Sequence, residues 1–535
     1  MLHTLDIIAK VVFVFFFFGL CIFIHELGHL LVALWRKLYV ERFSVGFGKK
    51  LWGTTIHGVE YIVSALPFGG YVALPQLDPT DEPKTSDGTV LPSGPPLSRA
   101  LTAVAGPVAN VLFGFFLGLF IWWLGSYEPA PAHDCLVLGV PAVAPLYQDG
   151  LTNKDEILEV NGAESSSPFL EEVVKTLPAT EEPITLAVRR RGEQGIREIT
   201  YTPVPNPEYL AGLRPGDRIV AVDGEGFNRG AKQMLEQIVL ATDEVVLGVL
   251  RDGEEETIRY NPLGNPLAEG LGYPFFEIKV PVAFGAIQPG SPAERAGLKR
   301  GDILLEIDGD EVENAGFFID RVTASKGQPM RLKVEREGKI IEFADLRAEE
   351  MEIDGETDFR IGAGLDEPMV LTHPNPWEQF VDVFQRTKRT LGSLFAPIVQ
   401  RRSLVRPRHM SGPVGIIQMI FYKVFTDGYR GGLSFIILVT YSLAFFNLLP
   451  LPVLDGGHIV YAFIEIVFRR KIPTRVVHWL QTAFAVLLIS FMAYVTFYDV
   501  RRSPRFLRFF FPQKSEAVEQ PPAAAPPEAA AAEEN

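Results

Sequence analysis

His25-Glu26-Leu27-Gly28-His29 lies inside a long apolar run, VVFVFFFFGLCIFIHELGHLLVALW, which begins at Val11. On an α-helix, residues i and i+4 share a face, so the two histidines can present their imidazoles to one point. Neutral imidazole is a good zinc ligand, and the glutamate between them is placed to take a proton from an activated water. The motif therefore predicts a zinc-dependent site on this helix.

The motif sits in a segment long enough to span a bilayer, and that setting makes it more informative. Ionisable groups at membrane depth are expensive, because a charge at the centre of a transmembrane helix costs about 2.5–3.5 kcal/mol. The alternatives are a chance match and a histidine pair that is merely hydrogen-bonded in a helical core. Since idle burial in so apolar a run would be costly, we expect residues 1–36 to form a transmembrane helix that carries a functional site.

Composition bounds the class of protein. The chain has 535 residues and should hold several domains. Its net charge of −15 argues against a nucleic-acid partner. The two cysteines, Cys21 and Cys135, imply no disulfide framework. Cys21 lies one turn before His25 and is an alternative zinc ligand, although a small residue that fills a helix face is the favoured interpretation.

Hydropathy and turn residues together predict a polytopic α-helical membrane protein with about four transmembrane helices, a membrane-associated β-hairpin and inserted PDZ-like α+β domains. The alternative is an ordinary cytosolic hairpin, since irregular backbone is tolerated at membrane depth only where protein or water satisfies its polar groups. The predicted segments, in chain order, are the first transmembrane helix at 1–36, a re-entrant β-hairpin and mobile loop at 37–99, a second transmembrane helix at 100–125, PDZ-like units at 136–205, 206–280 and 281–350, an amphipathic membrane-surface segment at 375–425, transmembrane helices at 432–456 and 475–499, and a disordered Ala/Pro/Glu-rich tail at 513–535.

The PDZ-like units are predicted from an internal repeat. In each copy, a helix end with glycine leads through a turn into a strand that closes in a tight turn. The copies start at Gly150, Gly212 and Gly297 and end at Asn161-Gly162, Asp223-Gly224 and Asp308-Gly309. The pattern resembles PDZ domains of the bacterial protease type, with a degenerate first copy, so two or three units are predicted. They could bind a peptide or a chain terminus as an added strand, or only space and block the membrane core.

A catalytic zinc site needs a third protein ligand and an open position. The strongest candidate is Asp455, which follows an apolar run broken by Pro450 and Pro452 and precedes two glycines. A carboxylate at a broken helix near membrane depth suits this role. His458 is the competing ligand, and Asp455 could instead cap the helix that follows.

The order of these features resembles the site-2 protease family of intramembrane zinc metalloproteases, in its regulator of sigma-E protease branch. The likeness covers nearly the whole chain: the histidine motif in the first span, the segment from Asn447 to Gly456 in the third, and PDZ-like units between them. The resemblance implies one zinc ion per chain, bound by His25, His29 and Asp455, with Glu26 as the general base.

The resemblance also extends beyond the ligands. It implies that Asn447 helps to hold the substrate or the oxyanion, with Pro450 in the same motif, and that the re-entrant turn Gly46-Phe47-Gly48 binds substrate. Residues expected to shape the surroundings of the site are Gly106, Pro107 and Asn110 in the second span, and the segment Ser411-Gly412-Pro413-Val414-Gly415 resembles a further family motif. The degenerate first PDZ-like copy, the apparent extra copy and the long acidic tail depart from the family pattern.

These observations predict a zinc-dependent intramembrane endopeptidase that cuts transmembrane helices of other proteins within the lipid bilayer. By resemblance, the substrate is a membrane-bound anti-sigma factor already trimmed outside, and the PDZ-like domains gate access. Two rival classes are a zinc-free scaffold that binds peptides through PDZ units and a metal transporter. A transporter has no need of Glu26.

Charge placement predicts the orientation in a bacterial inner membrane. Lysines and arginines in the loops 36–99 and 469–475 favour a cytoplasmic position for both loops. The PDZ-like units and both termini would then be periplasmic. Four arginines after the fourth span oppose this assignment: Arg501, Arg502, Arg505 and Arg508.

Overall fold

The computed structural model describes residues 2–77, 83–148, 150–190, 193, 195–264, 274–353, 356–399, 410–470 and 472–510. The predicted tail at 513–535 lies outside these residues, as does part of the predicted loop within 37–99. Within the described chain, four helices are long and apolar enough to cross a membrane: Leu5–Trp35, Pro96–Leu124, Pro413–Asn447 and Thr474–Arg501. A polytopic membrane protein with four candidate spans is therefore confirmed.

The first helix, α1 (Leu2–Trp35), is followed by two long strands, β1 (Arg42–Ile56) and β2 (Val59–Ala73), and a 3₁₀ turn at Pro75–Leu77. The strands are more than a simple hairpin, because each bends back within its own length. Residues 42–45 lie between residues 60–63 on one side and residues 70–73 on the other. Segment 70–73 is therefore an edge of this small sheet. Its association with a membrane stays a prediction.

The second helix, α2 (Pro96–Leu124), packs along α1. The approach is close because Gly28 of α1 carries no side chain. A Cβ there would collide with the Ala105 carbonyl oxygen and lie 2.7 Å from the Ala109 Cβ. Small residues at such a contact let two membrane helices pack backbone to backbone.

Beyond α2 the chain forms a large β-rich part. Its elements are β3 (Ser126–Pro129), β4 (Cys135–Gly139), β5 (Val143–Ala144), β6 (Asp155–Val160), β7 (Ala163–Glu164), α3 (Leu170–Lys175), β8 (Ile184–Arg190), β9 (Arg197–Tyr201), β10 (Val204–Pro205), α4 (Pro207–Leu210), β11 (Arg218–Val222), β12 (Glu225–Gly226), α5 (Gly230–Val239), β13 (Val245–Arg251), β14 (Glu254–Tyr260), β15 (Glu277–Ile278), β16 (Val282–Ile287), α6 (Pro292–Ala296), β17 (Ile303–Ile307), β18 (Asp310–Glu311), α7 (Ala315–Ala324), β19 (Pro329–Arg336), β20 (Lys339–Arg347), β21 (Glu349–Ile353), β22 (Glu356–Arg360), β23 (Ala363–Asp366) and β24 (Met369–Thr372).

Three sheets organise this part. The first has the strand order β7-β6-β8-β9, the second β14-β13-β11-β4-β15, and the third β20-β19-β17-β16-β23. Each sheet has its own apolar core. The second and third share one strand order, which matches the sequence repeat that starts at Gly212 and Gly297. Whether they are PDZ domains stays a prediction.

The tight turns that close each repeat have the backbone that their sequence favours. At Asn161-Gly162, Asp223-Gly224 and Asp308-Gly309, both residues have positive φ, between 51° and 95°. Two-residue hairpin turns of type I′ need positive φ at both positions, and Asn-Gly and Asp-Gly supply it at least cost. The turn chemistry of the repeat therefore fixes where each pair of strands reverses.

The predicted boundary between the first two units differs from the structure. Strand β4 pairs with β11 and β15, and Cys135 and Val137 bury their side chains in the second core. The first sheet is therefore inserted between two strands of the second, although the sequence interpretation assigned residues from 136 onward to the first unit. The repeat motif misses this strand because it begins downstream of it.

The β-rich part returns to its starting point. Strand β3, which follows α2, pairs antiparallel with β24. The Ala130 backbone N–H donates to the Pro368 carbonyl at 2.8 Å. The described chain between residues 130 and 368 therefore leaves the candidate membrane spans and returns to them through one short two-stranded connection.

The remaining helices are α8 (Pro376–Phe395), α9 (Pro413–Asn447), α10 (Asp455–Phe468) and α11 (Thr474–Phe510), with a 3₁₀ turn at Ala396–Val399. The predicted third span at 432–456 and the predicted surface segment at 375–425 both differ from these bounds. Helix α9 starts at Pro413 and bends at Gly428, where φ is 69°. It ends at Asn447 because two prolines follow closely and cannot continue a helix. Asp455 consequently begins a separate helix.

Candidate metal centre and active site

Three predicted ligands converge where α1, α2 and α10 meet. His25 and His29 project from α1, and Asp455 is the first residue of α10. The His25 Nε2 and His29 Nε2 atoms are 3.1 Å apart. Asp455 Oδ2 lies 3.2 Å from His25 Nε2 and 3.5 Å from His29 Nε2. Both imidazoles are buried, and the three side chains form the one potential metal-binding group of this kind among the described residues.

This triangle fits a zinc ion. Tetrahedral coordination at bond lengths of about 2.0–2.1 Å places the ligand atoms roughly 3.3–3.4 Å apart. Asp455 Oδ2 is buried and lacks a hydrogen-bond partner in the described structure, as expected of an atom whose partner is an ion. Two imidazoles and one carboxylate also leave a fourth position open, which is the donor set of a catalytic zinc site.

Helix α2 fixes the orientation of both histidines. His29 Nδ1 lies 2.7 Å from the Thr102 carbonyl oxygen, so its N–H points there and Nε2 keeps its lone pair for the ligand triangle. The Asn110 amide nitrogen lies 3.3 Å from His25 Nδ1, and the Asn110 Oδ1 atom has no partner in the described structure. Exchanging the amide oxygen and nitrogen lets Oδ1 accept the His25 Nδ1 proton. Both rings then direct Nε2 at the same point.

The predicted Gly106 makes room for these rings. A Cβ at Gly106 would collide with His29 Nε2 and lie 2.8 Å from His25 Cε1. Its neighbours Pro107 and Asn110 are also buried in α2. Gly106 and Asn110 therefore lie on the side of α2 that packs on the ligand triangle, and Pro107 is buried without a described contact to the ligands.

Glu26 is the predicted general base, and it contacts the small sheet. Its Oε2 atom accepts a hydrogen bond from the Val72 backbone N–H at 3.0 Å. Val72 belongs to edge segment 70–73. Gly70 also lies nearby, since a Cβ there would be 3.9 Å from the Glu26 Cγ. The glutamate is thus held beside a sheet edge on one side and beside the histidines on the other.

The predicted substrate-binding residues are brought to the site only in part. The Asn447 amide nitrogen lies 3.3 Å from His25 Nε2, which places it at the ligand triangle. Pro450 is exposed in the turn that joins α9 to α10. Gly46 and Gly48 have φ of 87° and 89° and form the bend of β1, with Phe47 stacked on Tyr71 at a ring distance of 6.2 Å. These last four residues make no described contact with the ligands.

The geometry favours Asp455 over the alternatives considered for the third ligand. Cys21 is buried and its Sγ atom lies 3.1 Å from the Thr440 Oγ1, away from the ligand triangle. His458 is not a member of the ligand group. The Asp455 side chain makes no capping hydrogen bond, because the N-cap of α10 is Leu454. Asp455 is free to turn towards the histidines instead.

Two contributors were not predicted from the sequence, namely the Thr102 carbonyl and the Val72 N–H. Both act through the backbone, so their residue types carry no signal. Thr102 could have been found indirectly, since it lies one helical turn before Gly106. Val72 could not, because its position depends on how β2 bends.

Comparison with known proteins agrees with this geometry. The model of the family described as "Peptidase family M50" matches residues 13–491. The Regulator of sigma-E protease RseP of Salmonella typhimurium is 26% identical over 506 residues, which cover 90% of this chain and 96% of the relative. The protein of the same name from Escherichia coli shows the same identity and coverage. Protease RseP of Yersinia pestis is 26% identical over 507 residues, with 90% and 96% covered.

Proposed function

This chain belongs to peptidase family M50 and is an intramembrane metalloprotease, and from that premise we propose that it hydrolyses a peptide bond within transmembrane helices of other membrane proteins. The observation that carries the proposal is the convergence of His25, His29 and Asp455, with Glu26 beside them. We assign one zinc ion per chain to this triangle.

The roles of the residues follow from their positions. Zinc bound at the triangle would supply Lewis acidity to the scissile carbonyl and lower the pKa of a water. Glu26 takes a proton from the attacking water and delivers it to the leaving amine. The Asn447 amide, beside His25, is positioned to donate a hydrogen bond to the carbonyl oxygen of the substrate.

The substrate must unwind before it can be cut. In an α-helix the backbone groups are engaged in i to i+4 hydrogen bonds, so the scissile peptide is hidden. Edge segment 70–73 runs beside Glu26, and no further strand pairs with that edge in the described chain. We propose that an unwound substrate segment adds to this edge as an extra strand, as extended peptides do in β-augmentation. The bend Gly46-Phe47-Gly48 and Pro450 would then contact substrate farther from the cut.

The β-rich part is proposed to gate access. Its three units surround a cavity of about 650 Å³, lined by residues of α3, α5, α7, β15 and β23. The lining helices and edge strands are the elements with which a PDZ domain binds a peptide, so a substrate segment or a chain terminus could enter there. The short connection at residues 130 and 368, together with ion pairs to α8 and α9 such as Arg229–Asp382, would hold this cavity outside the membrane, which we assign to the periplasmic side of a bacterial inner membrane.

The relatives named regulators of sigma-E protease suggest the class of substrate. We propose a membrane-bound anti-sigma factor that has already been trimmed outside the membrane. Trimming would shorten the part of the substrate that must pass the β-rich units. An untrimmed chain would be held away from Glu26.

One comparison tests the proposed activity. Glu26→Gln keeps the size of the side chain and its ability to accept the Val72 hydrogen bond, but removes the base. We expect this variant to retain about one zinc per chain, by metal analysis, and to lose cleavage of a reconstituted transmembrane substrate by at least ~100-fold. Cleavage at the wild-type rate would refute the assignment of Glu26. Absence of bound zinc in the wild type would favour a peptide-binding scaffold, and zinc that follows an ion gradient would favour a transporter.

A further inference from the structure

Arg99 and Glu465 form an ion pair that no part of the proposed chemistry uses. Their side chains are only 3% and 4% exposed. Arg99 lies in the first turn of α2, and Glu465 lies in α10, ten residues after Asp455. The pair is held by a single contact, since Arg99 Nε and Glu465 Oε1 have no hydrogen-bond partner in the described structure. A buried ion pair is weak evidence for stability, because the cost of removing both charges from water offsets their attraction, so a role in setting the position of the helices has to be considered.

The ion pair and the metal site lie at opposite ends of the contact between α10 and α2. At one end, Asp455 approaches histidines that pack on Gly106 of α2. At the other end, Glu465 meets Arg99, which precedes Gly106 in α2. Helix α10 therefore runs antiparallel to α2. The ten-residue separation on α10 corresponds to about 15 Å, and the seven-residue separation on α2 to roughly 10 Å.

Apolar packing alone cannot fix the position of α10 on α2, which is a candidate membrane span. Lipid tails are as apolar as leucine, so there is little hydrophobic drive to hold one helix on another. The outer face of α10 is exposed and apolar, at Val460, Phe463, Ile466, Val467 and Phe468. Its inner face is formed by small residues and by Tyr461 and Glu465. The Arg99–Glu465 ion pair can form in only one rotation of α10, so it can fix the position of this helix on α2.

Asp455 is the one ligand that does not come from α1, so assembly of the zinc site depends on where α10 sits. We propose that Arg99 and Glu465 are a positioning pair that sets the rotation and height of α10, and thereby brings Asp455 to the two histidines. This inference rests on the zinc site of the proposed function. Thr102, in the same turn of α2 as Arg99, orients His29 through its carbonyl. One turn of α2 thus aligns ligands from both helices.

A double-mutant cycle tests the pair in the full-length protein in detergent. The variants are Glu465→Gln, Arg99→Gln and the double variant, each compared with wild type for zinc affinity by competition with a chelator. We expect each single variant to bind zinc about tenfold more weakly, at the lower end of the effects known for groups that support a metal ligand. The double variant should lose about the same tenfold, because the two residues act as a unit. The visible spectrum of the Co²⁺-loaded protein should change in all three.

The control is Asp382→Asn, which breaks a pair with Arg229 outside the metal site and should leave both readouts unchanged. Additive losses of about 100-fold in the double variant, or wild-type affinity and spectrum in the single variants, would overturn the proposal. If a single variant does not fold, the double variant decides, because it leaves no charge unpaired. A tenfold loss then supports the pair, and wild-type affinity refutes it. Wild-type protein without zinc would instead refute the proposed function.

Discussion

The Val72 backbone N–H donates a hydrogen bond to Glu26 Oε2, at 3.0 Å. This contact ties the predicted general base on α1 to the edge segment that we propose to hold substrate. The base and the scissile bond would therefore be placed by the same strand. A donor in the backbone is also kept with any residue except proline at position 72.

Replacing Glu26 by the shorter aspartate tests whether the position of the carboxylate matters in addition to its charge. Glu26→Asp keeps a carboxylate but withdraws it by one methylene group, so it loses the contact with Val72. A displacement of about 1 Å at a reacting group can cost ~100-fold in rate. We expect this variant to bind zinc normally and to cleave roughly 10- to 100-fold more slowly, yet faster than Glu26→Gln. Cleavage at the wild-type rate would show that the Val72 contact does not place the base.

Adding one methyl group at Gly106 should dismantle the zinc site. The Cβ of Gly106→Ala would collide with His29 Nε2, and the rings have no room to retreat inside a packed helix pair. We expect at least a tenfold loss of zinc affinity, with a matching loss of cleavage. Gly392→Ala is the control, because a Cβ there meets nothing within 4 Å. Equal zinc affinity in both variants would contradict the crowding argument.

The two histidines stood out because their chemistry is unusual for their setting, whereas the residues alone left Asp455 in competition with His458 until the family resemblance favoured Asp455. Two histidines in an apolar run and an aspartate beside helix-breaking prolines are costly unless they are used. The end of the third span was predicted at residue 456, but helix α9 ends at Asn447. Hydropathy continues past Asn447 through Leu448 and Leu449, so a window average runs on to the aspartate, although the helix itself ends.

Other features depend on contacts that leave no local pattern. The first sheet is inserted behind β4, a strand of five residues that the repeat does not include. The role of Val72 depends on the bends that bring segment 70–73 back beside residues 42–45. Both arise from pairing between distant segments, and a single sequence does not record which segments pair.

The second sheet should become less stable as the pH rises. Burial raises the pKa of Glu208 from 4.5 to about 7, and the residue is 1% exposed. Between about pH 4.5 and pH 7, the folded state therefore keeps the Glu208 carboxyl protonated, whereas the unfolded state has lost this proton. The stabilisation that this proton contributes is fully present below about pH 4.5 and is lost as the pH rises through about 7. The loss is at most about 3 kcal/mol.

Cys135 offers a measurement of this effect, since it belongs to the same apolar core and burial raises the pKa of its thiol to about 12. Labelling of Cys135 consequently requires the core to open. The experiment compares Glu208 with Glu208→Gln, both in a Cys21→Ala background, by the rate at which Cys135 is labelled. We expect the ratio of the Glu208 rate to the Glu208→Gln rate to be at least ~10-fold higher at pH 8 than at pH 5. Taking this ratio removes the pH dependence of the thiol reaction. A ratio that stays constant would show that Glu208 does not control the opening.

Removing the β-rich part should release the proposed gate without disturbing the catalytic site. The cut belongs at the paired backbones of Ala130 and Pro368, so residues 131–367 are replaced by a four-residue Gly-Ser linker. Strands β3 and β24 can then pair as a hairpin. Asp382 and Asp427 lose partners in the deleted part, but they keep a neighbouring arginine or lysine on their own helices.

We expect this variant to cleave an untrimmed transmembrane substrate at least tenfold faster than the intact chain does, and a trimmed substrate within about threefold of it. Glu26→Gln in the same deletion should abolish both reactions, which would assign them to one site. Unchanged discrimination between the two substrates would remove the gating role of the β-rich part. It would leave the roles of Glu26 and the zinc ligands intact, because these depend only on α1, α2, α10 and the small sheet.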